Sequence, residues 1–161
     1  MKKTLFIILP LLLITGCSES IDFDDLVNRG GVFYKVNSDE PYSGDVVNYN
    51  NNNQKIMSAK LINGRLDGTL IETYNNGQKK EESNWKNGSL HGKHTKWYEN
   101  GQKKDEGETK NEVLLGKHTT WYENGQKEME MDFGDDGKLI YIKKWTKEGV
   151  LYDTYGVSKN K

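Results

Sequence analysis

A single cysteine, Cys17, stands in this chain of 161 residues. It cannot close an internal disulfide, and it leaves no cysteine pair for a zinc site. Apolar residues are scarce too: at 34% they are too few for a thick two-layer core, although 11% aromatics argue against disorder. No basic cluster is present, and Lys plus Arg (23) nearly balances Asp plus Glu (24). Nucleic acid is therefore not an expected partner. A 3.6-residue apolar period is missing and glycine is frequent, so helices are disfavoured. Phosphate loops, nucleophile elbows and a catalytic Cys–His pair are missing as well. No enzymatic activity and no cofactor are expected.

Long apolar runs are limited to Leu5–Ile14, broken only by Pro10. That run is too short to span a bilayer. Behind Met1-Lys2-Lys3 it fits the h-region of a signal peptide. It ends in Ile14-Thr15-Gly16-Cys17, which resembles the bacterial lipobox. The resemblance implies cleavage before Cys17 and acylation of its thiol. An ordinary cleaved signal peptide that leaves a free cysteine is the plainer alternative. Two or three acyl chains, at about 0.8 kcal/mol per buried CH₂, make a durable membrane anchor. Loss of residues 1–16 removes Lys2 and Lys3 and no acid, taking the formal net charge from −1 to −3. Ser18 after the cysteine points, by the same resemblance, to the outer membrane of a double-membraned host.

What the chain has in abundance is repetition. Trp97–Lys103 reads WYENGQK and returns unchanged at Trp121–Lys127, 24 residues later; Thr73–Lys79 is a weaker copy. Gly44, Gly68, Gly92 and Gly116 keep the step, as do Gln54, Gln78, Gln102 and Gln126, and Leu66, Leu90 and Leu114. Such a period means stacked copies of one supersecondary unit. Runs such as Thr69–Tyr74, His94–Tyr98 and His118–Tyr122 read as strands. They lead into Asn76-Gly77, Asn100-Gly101 and Asn124-Gly125, and Asn-Gly supplies the two positive φ values of a type I′ turn. A second turn falls at Asn63-Gly64 and Asn87-Gly88, decaying to Asn111-Glu112 and Asp135-Asp136-Gly137. Each unit thus holds two strands and two tight turns. The expected fold is all-β: an elongated, single-layer antiparallel meander of tandem hairpins. Ten or so strands at about 4.8 Å each give a sheet ~50 Å long.

Register follows from the turns. A two-residue turn at Asn100-Gly101 sets Tyr98 opposite Lys103 and Lys96 opposite Asp105. One at Asn87-Gly88 sets Trp85 opposite Leu90. The period is even, so every repeat shows the same face outward. One face then carries Leu66, Leu90, Leu114, Tyr74, Tyr98, Tyr122, Trp85 and Phe133. The other carries Trp97, Trp121 and Trp145 among Thr95, Thr119, Glu82 and Lys80. The chain divides into a signal peptide (1–16), a flexible tether (17–25), a lead-in hairpin (26–43), the repeats (44–152) and a tail (153–161). The last copy is decayed, with Glu148 in place of Asn, as terminal repeats often are.

Candidate chemistry is thin. His94 and His118 share a repeat position, about 9.6 Å apart across two strand spacings. That is too far for one zinc ion unless the side chains converge, so both are expected to face solvent and no metal is assigned. Glu81-Glu82, Asp105-Glu106, Glu128 and Glu130 read as solvated cross-strand partners of neighbouring lysines. Asp132, Asp135 and Asp136 lack a calcium-loop spacing. The aromatic rows have two readings. Stacked rings stabilise a thin sheet, or one row stays partly exposed and receives a ligand. On the second reading the binding residues are Tyr74, Tyr98, Tyr122, Trp85, Trp97 and Trp121.

Gly92, Trp97-Tyr98, Glu99-Asn100-Gly101-Gln102-Lys103, Leu114 and Gly116 together resemble the bacterial variant of the MORN repeat. The lead-in, Tyr34 followed by Pro41-Tyr42-Ser43-Gly44, is similar to that of the YwqK-type proteins. The resemblance covers residues 26–151. It implies a MORN-like sheet and, for the YwqK-type proteins, an antitoxin component of a toxin–antitoxin system with a cognate toxin as partner. Combined with the anchor, the expectation is an exported lipoprotein held to the membrane through Cys17. It would act as a non-enzymatic scaffold for a protein or cell-envelope partner. The alternatives are an antitoxin or immunity role and a purely structural envelope lipoprotein.

Overall fold

The computed structural model describes residues 20–156. The expected signal peptide, Cys17 and the end of the tail lie outside the described residues. Fourteen strands follow one another: β1 Ile21–Asp22, β2 Leu26–Arg29, β3 Val32–Lys35, β4 Gly44–Tyr49, β5 Lys55–Ile62, β6 Arg65–Leu66, β7 Gly68–Thr73, β8 Lys79–Lys86, β9 Ser89–Trp97, β10 Lys103–Lys110, β11 Val113–Trp121, β12 Lys127–Phe133, β13 Leu139–Trp145 and β14 Leu151–Gly156. Twelve form one open sheet, a meander running from β4 to β14, and β2 and β3 form a small sheet of their own. The all-β meander read from the repeats is the fold.

The two turns of each repeat differ, although both carry Asn-Gly. At Asn63-Gly64 and Asn87-Gly88 both residues have positive φ, at 49° and 71° and at 51° and 83°. These are type I′ turns, and Trp85 pairs with Leu90 as expected. At the WYENGQK turns only the glycine is left-handed; Gly101 has φ 84°. Gly101 N–H donates to Tyr98 C=O at 2.9 Å, and Tyr98 N–H donates to Gln102 C=O at 2.8 Å. This is a three-residue loop with a glycine bulge rather than a two-residue turn. Lys103 therefore pairs with Trp97, not Tyr98, and the register shifts before Asp105 meets Lys96. The bulge also moves Lys80. It was placed on the tryptophan face, but its Nζ lies 2.9 Å from Glu72 on the opposite face.

Asn111-Glu112 keeps the type I′ geometry without its glycine, leaving Glu112 at φ 68°. An L-residue other than Asn or Gly pays strain there. Glu112→Gly should raise stability by about 0.5–1 kcal/mol, read as a higher urea midpoint at unchanged m-value.

The fully buried apolar side chains gather at the N-terminal end. Val46, Ala59 and Leu61 form the core, with Ile21, Phe23, Leu26, Phe33, Tyr42, Met57, Leu66 and Leu70 packed against them. Residues 21–25 were expected to be a mobile tether. Instead Ile21 and Asp22 pair in parallel with Val46 and Val47, a 3₁₀ turn follows at Phe23–Asp25, and the Phe23 ring sits 5.1 Å from that of Phe33. The lead-in caps the first repeat because a sheet edge with buried valines needs a cover.

Candidate functional site

The recurring word WYENGQK is a set of bonds between repeats. Tyr74, Tyr98 and Tyr122 donate their hydroxyls to the backbone carbonyls of Trp97, Trp121 and Trp145 at 2.7, 2.8 and 2.9 Å. Asn76, Asn100 and Asn124 donate to the carbonyls of Glu99, Glu123 and Lys147. Gln78, Gln102 and Gln126 lie against Gly101, Gly125 and Gly149 of the following turn. Lys79, Lys103 and Lys127 sit over the rings of Trp97, Trp121 and Trp145 at 5.6, 5.8 and 5.4 Å, and pair with Glu82, Glu106 and Glu130. Each bond is worth about 1 kcal/mol or less, but all recur at each of the three steps from Thr73 to Trp145. On the other edge the Gly88 and Glu112 N–H groups donate to Leu66 and Leu90 carbonyls.

This locates the predicted binding residues. Tyr74, Tyr98 and Tyr122 are half-buried, with their hydroxyls tied to the next repeat. Trp85 is half-buried on the opposite face from the other tryptophans, its indole N–H donating to the buried Ser83 hydroxyl at 2.9 Å. Trp97 and Trp121 form a half-buried row with Trp145 along one edge, each under a lysine. A concavity over Lys93, Thr95, Glu106, Gly107 and Lys117 is open and of mixed charge.

A different site appears on the face that carries Trp85. A row of side chains crosses the sheet there from strand to strand. Val46 pairs with Ala59, Leu70 with Ser83, Ser83 with His94, His94 with Gly107, His118 with Met131, and Met131 with Ile142. In repeat terms one set of positions is Val46, Leu70, His94, His118 and Ile142. The set between them is Ala59, Ser83, Gly107 and Met131. The row is the spine of the sheet, and two central repeats replace its aliphatic residue with histidine.

Both histidines are buried, which overturns the expectation that they face solvent. Their rings lean together over Gly107 to a centroid separation of 5.6 Å. A Cβ on Gly107 would lie 2.4 Å from His118 Cδ2 and 3.0 Å from His94 Cε1. The two histidines stand on β9 and β11, either side of β10, and the missing Gly107 side chain lets the rings close the gap. His94 Nε2 and His118 Nε2 lie 3.2 and 3.0 Å from the two oxygens of Asp105. The Nε2–H of each imidazole donates one hydrogen bond to an Asp105 oxygen. Burial alone raises the Asp105 carboxyl; the hydrogen bonds from His118 and His94 outweigh it and hold it well below the usual carboxylate range. Nδ1 of each histidine is buried without a partner. Sequence reasoning missed this triad, although the substitution of two histidines for Val, Leu and Ile at one repeat position is a signal.

No family model, curated protein or solved structure matches the chain.

Proposed function

We propose that the chain is a lipid-anchored, non-enzymatic scaffold that binds an extended protein or cell-envelope partner along its aromatic rows. The observation that carries this reading is the row Trp97, Trp121 and Trp145, each ring under a lysine and beside a glutamate, repeated at every second strand. The spacing is about 9.6 Å. A periodic row on an open sheet suits a partner that is itself extended, and tryptophan is enriched where binding energy concentrates. The hydroxyls of Tyr74, Tyr98 and Tyr122 serve the array, so the tryptophans are the side chains that contact the partner. Cys17 supplies the tether.

Two arms test this. Labelled palmitate enters the wild-type chain and not Cys17→Ala; no label in the wild type removes the anchor. Cross-linking and copurification from solubilised host membranes recover a stoichiometric partner with the wild type. Trp97→Ala with Trp121→Ala loses it at unchanged β-type circular dichroism, while Tyr98→Phe with Tyr122→Phe keeps it. Recovery of no partner by any variant makes the chain a structural component of the envelope instead.

A further inference from the structure

We propose that His94, Asp105 and His118 form a binding site for one divalent transition ion of the zinc class. The proposal is independent of the scaffold reading. Two imidazole nitrogens and a carboxylate are a donor set for zinc, cobalt and nickel rather than for calcium or magnesium. One candidate donor atom from each of the three residues lies within 4.8 Å of the other two. His94 Nε2 lies 3.2 Å from one Asp105 oxygen and His118 Nε2 3.0 Å from the other, each close to the edge of a tetrahedron of ligands at 2.0–2.1 Å, about 3.3 Å, so a small turn of the carboxylate brings one oxygen to both nitrogens. For the ion to take the place of these hydrogen bonds, each ring moves its proton from Nε2 to Nδ1, the nitrogen now without a partner, so that the Nε2 lone pair faces the ion.

Three further observations favour a ligand over a packing role. The position is aliphatic in the flanking repeats (Leu70 and Ile142), so the spine has no need of imidazole. The site is built: the His94 and His118 side chains are 8% and 11% exposed. Gly107 between them keeps clear the space into which both rings lean. Asp105 at 22% exposure leaves the outward side for a fourth ligand. Its ligands come from β9, β10 and β11, so the ion would bind three consecutive strands together, with the metal affinity added to the stability of the array. Lys96, paired with Asp105 in the register, has its Nζ at 3.5 Å from Glu81, so its charge is directed to that neighbour.

The probe is zinc itself, titrated calorimetrically into the chelator-treated full chain carrying Cys17→Ser, so that no thiol contributes. One equivalent per chain is expected, with a melting midpoint that rises with zinc concentration. Cobalt in its place should give visible absorption of a tetrahedral ion. The His94→Leu, His118→Ile double variant restores the side-chain types of the flanking repeats and so keeps the fold. Its affinity should fall by about 100-fold or more, since loss of even an outer partner costs about 10–100-fold. His91→Ala should bind as the parent does. Equal zinc affinity in the parent and the double variant overturns the proposal. Should the double variant not fold, the imidazole resonances of His94 and His118 in the parent decide: zinc must shift both, and unshifted resonances overturn it.

Discussion

Replacing Gly107 by alanine should destabilise the chain by about 1–3 kcal/mol, an effect out of scale for one methyl group on a half-exposed sheet. The cause is room, since the Gly107 φ lies outside the left-handed region. The added Cβ meets His118 Cδ2 at 2.4 Å and His94 Cε1 at 3.0 Å. Neither ring can swing away without leaving Asp105, whose carboxylate is held by both Nε2 atoms. Breaking one of those bonds strands a partly buried charge with half of its donors. The equivalent positions one and two repeats earlier are Ser83, between Leu70 and His94, and Ala59, paired with Val46, so a Cβ is tolerated where no more than one neighbour is a histidine. The same comparison supplies the control. In a His118→Ile background the Gly107→Ala substitution should cost much less, with a coupling free energy of about 1–2 kcal/mol in a double-mutant cycle from urea unfolding. Equal costs in both backgrounds would place the strain somewhere other than the His118 ring.

The sequence makes the architecture plain and the site obscure, for one physical reason. Period, strand content and the pairings Trp85–Leu90 and Lys96–Asp105 are backbone properties set by local turns and by alternation. A repeat copies them faithfully. The turn type at Asn100-Gly101 is less local. Asn-Gly suits either a type I′ turn or a glycine-bulge loop. The loop is chosen where Asn100 accepts from Gln102 N–H and donates to Glu123 of the next repeat. The His94–His118 contact is further removed still. Spacing along the chain gives the distance between strands, but not the lean of two rings over an empty position. Gly107 carries no mark in the sequence that separates it from a turn glycine; only its alignment with Ala59 and Ser83 shows a place reserved for small side chains. Ile21 and Asp22 pair with β4 across about two dozen residues, and two residues are too short a run to read as a strand.

The other large effect belongs to Leu61. Its side chain is fully buried at the centre of the Val46–Ala59–Leu61 core, and Leu61→Ala should cost about 2–5 kcal/mol. How that cost is distributed follows from the fold. Contacts in the meander run between neighbouring strands, so stability is a sum of local terms. The cavity would loosen what packs on Leu61: the lead-in with Phe23, Leu26 and Phe33, then β4, β5 and β7. Strands β9 to β13 keep each other through the Tyr, Asn and Lys contacts between repeats. Unfolding should therefore split into two stages, since arrays of repeats readily lose all-or-none behaviour. The chain carries its own reporters, because all four tryptophans, Trp85, Trp97, Trp121 and Trp145, lie in β8 or later. In urea the far-UV signal of Leu61→Ala should acquire an early phase that tryptophan fluorescence lacks. Hydrogen exchange should show β4 and β5 amides losing protection while those of β10 and β11 keep it. A uniform loss of protection from β4 to β13, with both optical signals shifting together, would mean that the array folds as one cooperative unit. Stability at the His94–Asp105–His118 site would then depend directly on the core at the far end of the sheet.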